Sequence, residues 1–265
     1  MNVWNLNPAI VSLGPLEIRW YGLVYALGFL LAWWILRQAA RAGRIPNLTE
    51  KAAEDYVLLL IMGSIIGARL LYVIVYNPAH YLSNILEIPA VWHGGLSIHG
   101  GLLGAALVTW HWCKKRHVNF YSIADTLVAP LSLVLVFGRL ANYANGELWG
   151  LPSNARWCVV FPHVDDACRH PSQIYEALYS YALFLILFAL SETKRLATGV
   201  LFWTFITLYG AFRFLVTFTR ALDPTDPGIL WLSLGQWLSL AMVVAGLWWF
   251  WQLKRTGHPI LSGER

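Results

Sequence analysis

The run Pro227–Leu253, PGILWLSLGQWLSLAMVVAGLWWFWQL, contains no charged residue. Two further uncharged runs, Trp20–Leu36 and Leu196–Phe212, lie earlier in the chain. A helix needs roughly 20 mostly apolar residues to cross the hydrocarbon core of a bilayer, and about 17 is the lower end. The alternative is a soluble protein in which several such runs form fully buried core helices. We predict that the runs span a membrane.

The composition of the chain supports that prediction. Hydrophobic residues make up 58% of the 265 residues and charged residues only 12%. The mean hydropathy is +0.54. Soluble domains contain about 25% charged residues, because their surfaces face water. So low a charge content indicates that most of this surface faces lipid.

Seven transmembrane helices are predicted along the chain. Their expected bounds are Trp20–Arg37, Asp55–Tyr76, Ile98–Cys113, Ser122–Arg139, Ser172–Leu190, Gly199–Phe218 and Gly235–Lys254. The third is short and rich in glycine, so its signal is the weakest. We therefore predict an all-α polytopic membrane protein. It would form a single integral membrane domain, residues 1–265, with a small outer head at about residues 143–171.

The loops between these helices predict the orientation of the chain. Twelve of the 19 Lys and Arg follow helices one, three, five and seven. They are Arg37, Arg41, Arg44, Lys51, Lys114, Lys115, Arg116, Lys194, Arg195, Lys254, Arg255 and Arg265. Because basic loops stay in the cytoplasm, we expect the N-terminus outside a bacterial cytoplasmic (inner) membrane and the C-terminus inside. The pI near 9.2 then reflects orientation, and no nucleic-acid partner is expected.

The remaining basic residues are all arginines. They are Arg19, Arg69, Arg139, Arg156, Arg169, Arg213 and Arg220. Arginine stays ionised and presents a planar fork that binds phosphate or carboxylate through two hydrogen bonds. Arg69, Arg139 and Arg213 fall within or at the ends of apolar segments, where a charge is costly, so we interpret these three as candidates for an anionic lipid site. The alternative is internal ion pairing, for which the available carboxylates are Glu54, Asp125, Glu147 and Glu176.

The stretch HGGLSIHGG, His93–Gly101, lies at the outer end of the third predicted helix. Its glycines, including Gly100, allow the backbone to approach a ligand closely. Histidine titrates near neutral pH, so His99 is a candidate base or phosphate donor. Equally, glycine-rich helix faces serve close helix packing without any chemistry. The spacing of His93 and His99 does not suit a metal, and no metal or other cofactor is predicted.

The stretch GRLANYANGELWG, Gly138–Gly150, follows the fourth predicted helix. Arg139 and Asn142 are three residues apart and share a helix face. Asn145 and Glu147 follow, near a helix break expected at Gly146. Such polar side chains at the exit of an apolar helix are costly unless they surround a polar ligand. We therefore predict a binding site there.

Two further polar segments belong to the fifth and sixth predicted helices. RHPSQIYE, Arg169–Glu176, opens the fifth helix and places Glu176 one turn inside it. YGAFR ends at Arg213, and Arg220, seven residues later, is expected on the same helical face. By the predicted topology both segments approach the outer leaflet, and Tyr21 at the start of the first helix is expected to join them.

In this order, these segments resemble those of the bacterial prolipoprotein diacylglyceryl transferases. The similarity covers nearly the whole chain, from the opening RWYGL to the YGAFR helix. The resemblance implies transfer of the diacylglyceryl group of phosphatidylglycerol to the thiol of a lipobox cysteine in a prolipoprotein signal peptide. Glycerol phosphate is released and a thioether forms, in the first step of lipoprotein maturation. The thiol belongs to the substrate, which suits motifs that contain no cysteine.

The resemblance also implies roles for particular residues. His99 and Arg139 are the catalytic candidates, as base and as stabiliser of the leaving phosphate. Asn142, Asn145 and Glu147 are expected to hold the headgroup or to orient Arg139. The other predicted substrate-binding residues are Tyr21, Gly100, Glu176, Arg213 and Arg220. Both substrates arrive within the bilayer, so a lateral opening is expected.

The sequence departs from the family pattern at two positions. Thr217 stands where the family usually has Glu, so Arg213 lacks its customary partner four residues on. Ala141 stands where the family usually has Gly. A catalytically inactive binder of anionic lipid therefore remains an alternative. A transporter or flippase is another, although no internal repeat is evident.

Two cysteines, Cys158 and Cys168, share the long outer loop. An oxidising compartment outside the membrane permits a disulfide between them. The sequence leaves a disulfide and two free thiols equally open.

Overall fold

A computed structural model describes residues 2–7, 9–13, 16–193, 196–221 and 228–256 of the chain. Each of the seven predicted helices has a counterpart, and one short helix, α3, is additional. The helices are α1 (Trp20–Arg41), α2 (Glu50–Leu71), α3 (Pro78–Ser83), α4 (Ile98–Arg116), α5 (Phe120–Ala144), α6 (Ser172–Ser191), α7 (Val200–Thr217) and α8 (Leu234–Arg255). A π-helical turn, Tyr72–Tyr76, extends α2.

Six helices in the described ranges are long and apolar enough to cross a membrane. They are α1, α2 with its π-helical turn, α5, α6, α7 and α8. Helix α4 is 19 residues long but ends in Lys114, Lys115 and Arg116 and is less apolar. The prediction of an all-α polytopic membrane protein is confirmed, and a seventh span at α4 stays a prediction.

The difference from the predicted bounds that matters most for the site lies at the end of α5. The helix was expected to end at Arg139, but it continues to Ala144. Asn142 therefore lies in the last turn, and the helix gives way at Gly146, whose φ is +67°. Only glycine takes this left-handed conformation at little cost, which explains the break.

The chain forms two compact units, Phe29–Ile123 and the combination of Met1–Gly28 with Ala124–Arg265. The prediction of a single membrane domain stays a prediction. In the unit Phe29–Ile123, α2 and α4 pack through glycines on both helices. A Cβ on Gly104 would come within 3.1 Å of the Cα of Gly67, and one on Gly100 would meet Leu71. Small residues let membrane helices approach this closely.

In the other unit, α5, α6 and α7 share an apolar core. Its buried members are Val128, Ala129, Leu183, Leu187 and Phe205. Helix α8 packs against α7, and Gly210 of α7 faces the backbone of Ser239, 2.8 Å from where its Cβ would lie. The three helices that carry Arg139, Glu176 and Arg213 are thus packed against one another.

Asp125 fixes the start of α7. Its carboxylate accepts the backbone N–H of Gly199 at 2.6 Å and that of Phe202 at 2.8 Å. A carboxylate at a helix N-terminus satisfies otherwise unpaired N–H groups and complements the helix dipole. Asp125 was a candidate partner for an arginine, but in the structure it is a helix cap.

A small head connects α5 to α6. Three short strands form its sheet, with β1 (Asn2–Val3) parallel to β4 (Val159–Val160) and β4 antiparallel to β5 (Cys168–Arg169). A disulfide joins Cys158 to Cys168, which answers the question the sequence left open. A separate hairpin, β2 (Ala9–Leu13) and β3 (Leu16–Arg19), precedes α1.

Candidate active site

The end of α5 gathers the polar side chains predicted there. Asn142 is 2% exposed, and its Nδ2 donates to the hydroxyl of Tyr21 and, at 3.4 Å, to Oε2 of Glu147. Asn145 Nδ2 donates to the other carboxylate oxygen of Glu147 at 3.0 Å. The structure therefore places Tyr21 beside Asn142, and its role in binding stays a prediction. The four side chains form one hydrogen-bonded cluster.

Glu176 of α6 is the partner of three arginines. Its Oε2 lies 2.8 Å from Nε of Arg139 and 3.3 Å from Nη1 of Arg213, and its Oε1 lies 3.2 Å from Nη1 of Arg220. Arg139 also donates from Nη1 to Oδ1 of Asn142 at 3.3 Å. Arg139 thereby links the hydrogen-bonded side chains at the end of α5 to a second group. We call that group, Arg139, Arg213, Arg220 and Glu176, the arginine cluster.

The arginine cluster carries more positive than negative charge. Three guanidinium groups face one carboxylate, and adding Glu147 through Asn142 still leaves one positive charge in excess. The Glu176 side chain is 3% exposed, whereas those of Arg139, Arg213 and Arg220 are 17%, 26% and 18% exposed. The carboxylate is enclosed while the cations keep accessible surface. Such an arrangement can bind an anion.

Arg220 reaches this cluster from outside the helix. The expectation that it shares a face of α7 with Arg213 is wrong, because α7 ends at Thr217. Arg220 instead forms an antiparallel bridge with Gly150, and its guanidinium returns to Glu176. Burial lowers the pKa of Arg220 from its ordinary value, and the nearby carboxylate of Glu176 opposes that shift. Arginine remains ionised at neutral pH despite such a shift.

Thr217 does not leave Arg213 without a carboxylate. The Thr217 hydroxyl donates to the backbone carbonyl of Arg213 at 2.6 Å, inside its own helix. Arg213 finds its acidic partner in Glu176 on α6. With threonine at position 217, Glu176 is the carboxylate that Arg139, Arg213 and Arg220 share.

The segment Arg169–Glu176 positions the loop after α5. Ser172 Oγ donates to the carbonyl of Leu148 at 2.6 Å, and Gln173 Nε2 donates to that of Glu147 at 2.5 Å. Both side chains are at most 1% exposed. Arg169 pairs with Asp165 and donates from Nη1 to the carbonyl of Gly150 at 3.1 Å. The hydrogen bond from Arg169 lowers the pKa of the Asp165 carboxyl.

A family model described as prolipoprotein diacylglyceryl transferase matches residues 8–252. The chain belongs to the prolipoprotein diacylglyceryl transferase family. A relative from Bordetella bronchiseptica is 43% identical over 245 residues, 91% of this chain and 93% of that protein. One from Geobacter sulfurreducens is 44% identical over 246 residues, 92% and 94% of the two chains.

A third relative, from Brucella anthropi, is 40% identical over 263 residues, 95% of this chain and 93% of that protein. All three are named phosphatidylglycerol–prolipoprotein diacylglyceryl transferase. The resemblance inferred from the motifs is therefore confirmed. The similarity extends over almost the whole length of each relative.

The glycine-rich motif of the family lies in the unit Phe29–Ile123. His99 is exposed in the first turn of α4, and Gly100 is buried against Gly67 and Leu71 of α2. Helix packing accounts for this glycine, as the alternative from sequence proposed. Roles for His99 as a base and for Gly100 in substrate binding stay predictions, as does their joint use with Arg139.

Sequence reasoning missed the support that the N-terminal segment gives to the site of this transferase-family chain. Trp4 Nε1 donates to the carbonyl of Tyr143 at 2.7 Å, and His163 Nε2 lies 2.9 Å from the carbonyl of Gly146. A Cβ on Gly146 would lie 3.1 Å from the Trp4 ring. No sequence signal connects Trp4 to residues about 140 positions away, because β1 reaches the head only through tertiary pairing.

Proposed function

We propose that this chain transfers the diacylglyceryl group of phosphatidylglycerol to the thiol of the lipobox cysteine of a prolipoprotein. A sulfur–carbon bond forms at the glyceryl carbon of the lipid, and the bond from that carbon to the phosphate oxygen breaks. Glycerol phosphate leaves with the bonding electrons, and the thiol proton passes to a base. Family membership supports this reaction, and one observation carries the assignment of the site. Three arginines surround the buried carboxylate of Glu176.

The leaving group requires the charge that this cluster provides. A phosphodiester becomes a phosphate monoester, so negative charge grows on the leaving oxygen during the reaction. Arginine presents paired donors to such oxygens, and preorganised donors aimed at developing charge lower the barrier. We assign this role to Arg139, because it contacts both Glu176 and Asn142 and so has a fixed orientation. Arg213 and Arg220 provide further cationic contacts.

The polar cluster beside Arg139 suits the glycerol headgroup. Hydroxyl groups need both donors and acceptors, and amides, carboxylates and phenols supply them. We propose that Asn142, Asn145, Glu147 and Tyr21 hold this headgroup or orient Arg139. Their mutual hydrogen bonds keep the side chains in place before substrate arrives.

The substrate thiol needs a base or a cationic neighbour to become a thiolate, because a free cysteine has a pKa near 8.5. We propose His99 as that base; Gly100 beside it, packed against α2, would set the position of the helical turn that carries His99. Exposure of His99 in the first turn of α4 leaves its ring accessible to a substrate.

We propose that the protein resides in the bacterial cytoplasmic membrane, with its N-terminus and head outside and its C-terminus in the cytoplasm. The distribution of Lys and Arg supports this orientation. The Cys158–Cys168 disulfide lies in the head, and disulfides persist in oxidising compartments. A head on the outer face would meet signal peptides after export.

The decisive experiment uses purified protein in detergent with phosphatidylglycerol and a short lipobox peptide. Release of glycerol phosphate is followed with the peptide's cysteine present or replaced by serine. We expect release only with the cysteine peptide, together with a gain in peptide mass equal to one diacylglyceryl group. Release that ignores the cysteine would indicate a lipid hydrolase. Lipid binding without release would indicate an inactive binder, and either result would overturn the proposal.

A further inference from the structure

We infer that Arg69 is a positioning residue that holds the segment leading to His99 and does not itself bind substrate. Its location in an apolar helix made it a candidate for binding an anionic lipid. The structure shows each of the three guanidinium nitrogens donating to a backbone carbonyl. The activity readout of this inference rests on the proposed transferase function, and a second readout does not.

Four carbonyl groups converge on Arg69. Nε donates to Ile88 at 2.7 Å, and Nη2 donates to Glu87 at 2.7 Å. Nη1 donates to Gly94 at 2.7 Å and to Gly95 at 3.1 Å. The residue is 5% exposed, and its guanidinium carbon lies 5.0 Å from the centre of the Tyr81 ring. A buried guanidinium with this many acceptors is satisfied internally, which leaves little of it for a phosphate.

The glycine pair of the HGGLS motif permits this arrangement. Gly95 has φ +72°, and a Cβ there would lie 2.6 Å from Nη1 of Arg69 and 2.7 Å from the Tyr72 ring. Any side chain at this position would displace the guanidinium as well as strain the backbone. At Gly95 the close backbone approach that the motif predicted is therefore an approach to Arg69, within the same unit of the protein.

The segment from Glu87 to Ser97 is attached to α2 at both ends. Arg69 holds its carbonyls as far as Gly95, and the carbonyl of Ala68 accepts the N–H of Ser97 at 3.0 Å. Ser97 is the N-cap of α4, with its hydroxyl accepting the N–H of Gly100. His99 lies in that first turn. Displacing Arg69 would therefore displace the residues that set the backbone position of His99.

A π-helical turn follows Leu71, next to the residues that attach this segment to α2. The N–H of Tyr72 donates to the carbonyls of Ala68 and Arg69, and the π-helical turn begins just beyond these two residues, which hold the segment. Such π-helical turns often mark functional positions in helices. Here the first residue of the turn, Tyr72, lies against Gly95, where a Cβ would come within 2.7 Å of its ring.

The first test is Arg69→Lys. Lysine keeps the charge but presents it as a point, so it cannot reach four carbonyls spread over residues 87–95. We expect the rate constant kcat for transfer to fall about 10- to 100-fold, since small displacements of catalytic groups have effects of that size. The KM for phosphatidylglycerol should change less than about threefold, because no substrate contact is lost. Arg156→Lys, at an exposed arginine of the outer loop, is the matched control.

Hydrogen exchange provides a readout that does not require activity. In Arg69→Lys the backbone amides of residues 87–97 should exchange at least about tenfold faster, because the carbonyls that hold the loop lose their shared donor. Amides of α6 should be unchanged. Addition of guanidinium ions to Arg69→Ala should restore part of the protection and part of kcat.

Gly95→Ala disturbs the same contact from the opposite side and serves if the arginine variants fail to insert. It should reproduce both the faster exchange and the loss of kcat. Wild-type exchange together with wild-type kcat in either variant would overturn the inference, as would a loss seen in KM alone. If the wild-type protein transfers no lipid, the proposed function fails, and the exchange comparison still decides the role of Arg69.

Discussion

The arginine cluster around Glu176 and the single arginine Arg69 use the same side chain in opposite ways. In the cluster, three guanidinium groups share one carboxylate and keep 17% to 26% of their side-chain surface exposed. Arg69 is 5% exposed and is bonded to four backbone carbonyls. The first arrangement leaves positive charge over for a ligand, while the second uses its donors to hold a loop.

The difference shows how to read charged residues in apolar helices. Burial alone does not separate a binding arginine from a scaffold arginine, because both are costly to place there. What separates them is the balance between donors and their fixed acceptors. A cluster whose cations outnumber its anions keeps an uncompensated positive charge until an anion binds. A guanidinium whose nitrogens all donate to backbone carbonyls already has fixed hydrogen-bond acceptors.

The largest effect expected in the cluster comes from Arg139→Lys. Loss of the planar fork should reduce transfer about 100-fold or more, as loss of a transition-state donor does in other enzymes. The variant should still insert and purify, since a charge remains opposite Glu176. Glycerol phosphate release measures the rate, with Arg156→Lys as control. Turnover near that of the wild type would remove Arg139 from the leaving-group role.

His99→Asn tests what the segment held by Arg69 is for. If His99 is the base, the rate should fall about 100-fold, which lies within the range for general base catalysis. The dependence of kcat on pH should also change shape, because the proposed base is gone. Rates measured from about pH 5 to 9 decide this. A slower reaction with an unchanged pH profile would make His99 a positioning residue.

Glu176→Gln tests whether one carboxylate holds the three arginines together. Removing the shared partner of buried charges should lower the free energy of unfolding by about 3 kcal/mol or more. Transfer should fall about tenfold, since the guanidinium groups then repel one another. Thermal unfolding in detergent and the release assay measure the two effects. Glu192→Gln, an exposed glutamate at the other end of α6, should alter neither. Equal stability of the Glu176 and Glu192 variants would contradict the shared role.

The smallest expected effect is that of Thr217→Glu. This change gives the arginine cluster another fixed acceptor, and so brings its balance of donors and acceptors closer to that around Arg69. The added negative charge lies one turn from Arg213 and should weaken inhibition by glycerol phosphate about threefold. The inhibition constant, compared with that of Thr217→Gln as the neutral control, measures the change. Tighter inhibition in the glutamate variant would show that the excess positive charge does not hold the phosphate.

Much of the candidate site could be predicted from sequence because its residues cluster along the chain. Arg139, Asn142, Asn145 and Glu147 follow one another at a helix exit, and the helix end brings them together without long-range information. Arg220 could not be placed in this way. Its approach depends on a bridge to Gly150 after α7 has ended, and spacing along a helix says nothing about a residue beyond it.

The roles of Arg69 and Trp4 were equally hidden in sequence. An arginine bound by carbonyls leaves no acidic residue as a signal, because every residue has a carbonyl group. Likewise, the contact of Trp4 with the end of α5 arises only when β1 pairs with β4. Backbone partners carry no sequence pattern, so such contacts appear only in the folded chain.

By itself, the sequence determined the class of this protein, its helices and its family, because uncharged runs and local motifs follow from residue type and spacing alone. Only the tertiary structure decided which charged side chains have enough internal partners and which leave positive charge uncompensated. That depends on how many donors and acceptors different helices bring within about 3 Å of one another. Glu176 shows the reason, since its ion-pair partners come from α5, α7 and the segment beyond α7.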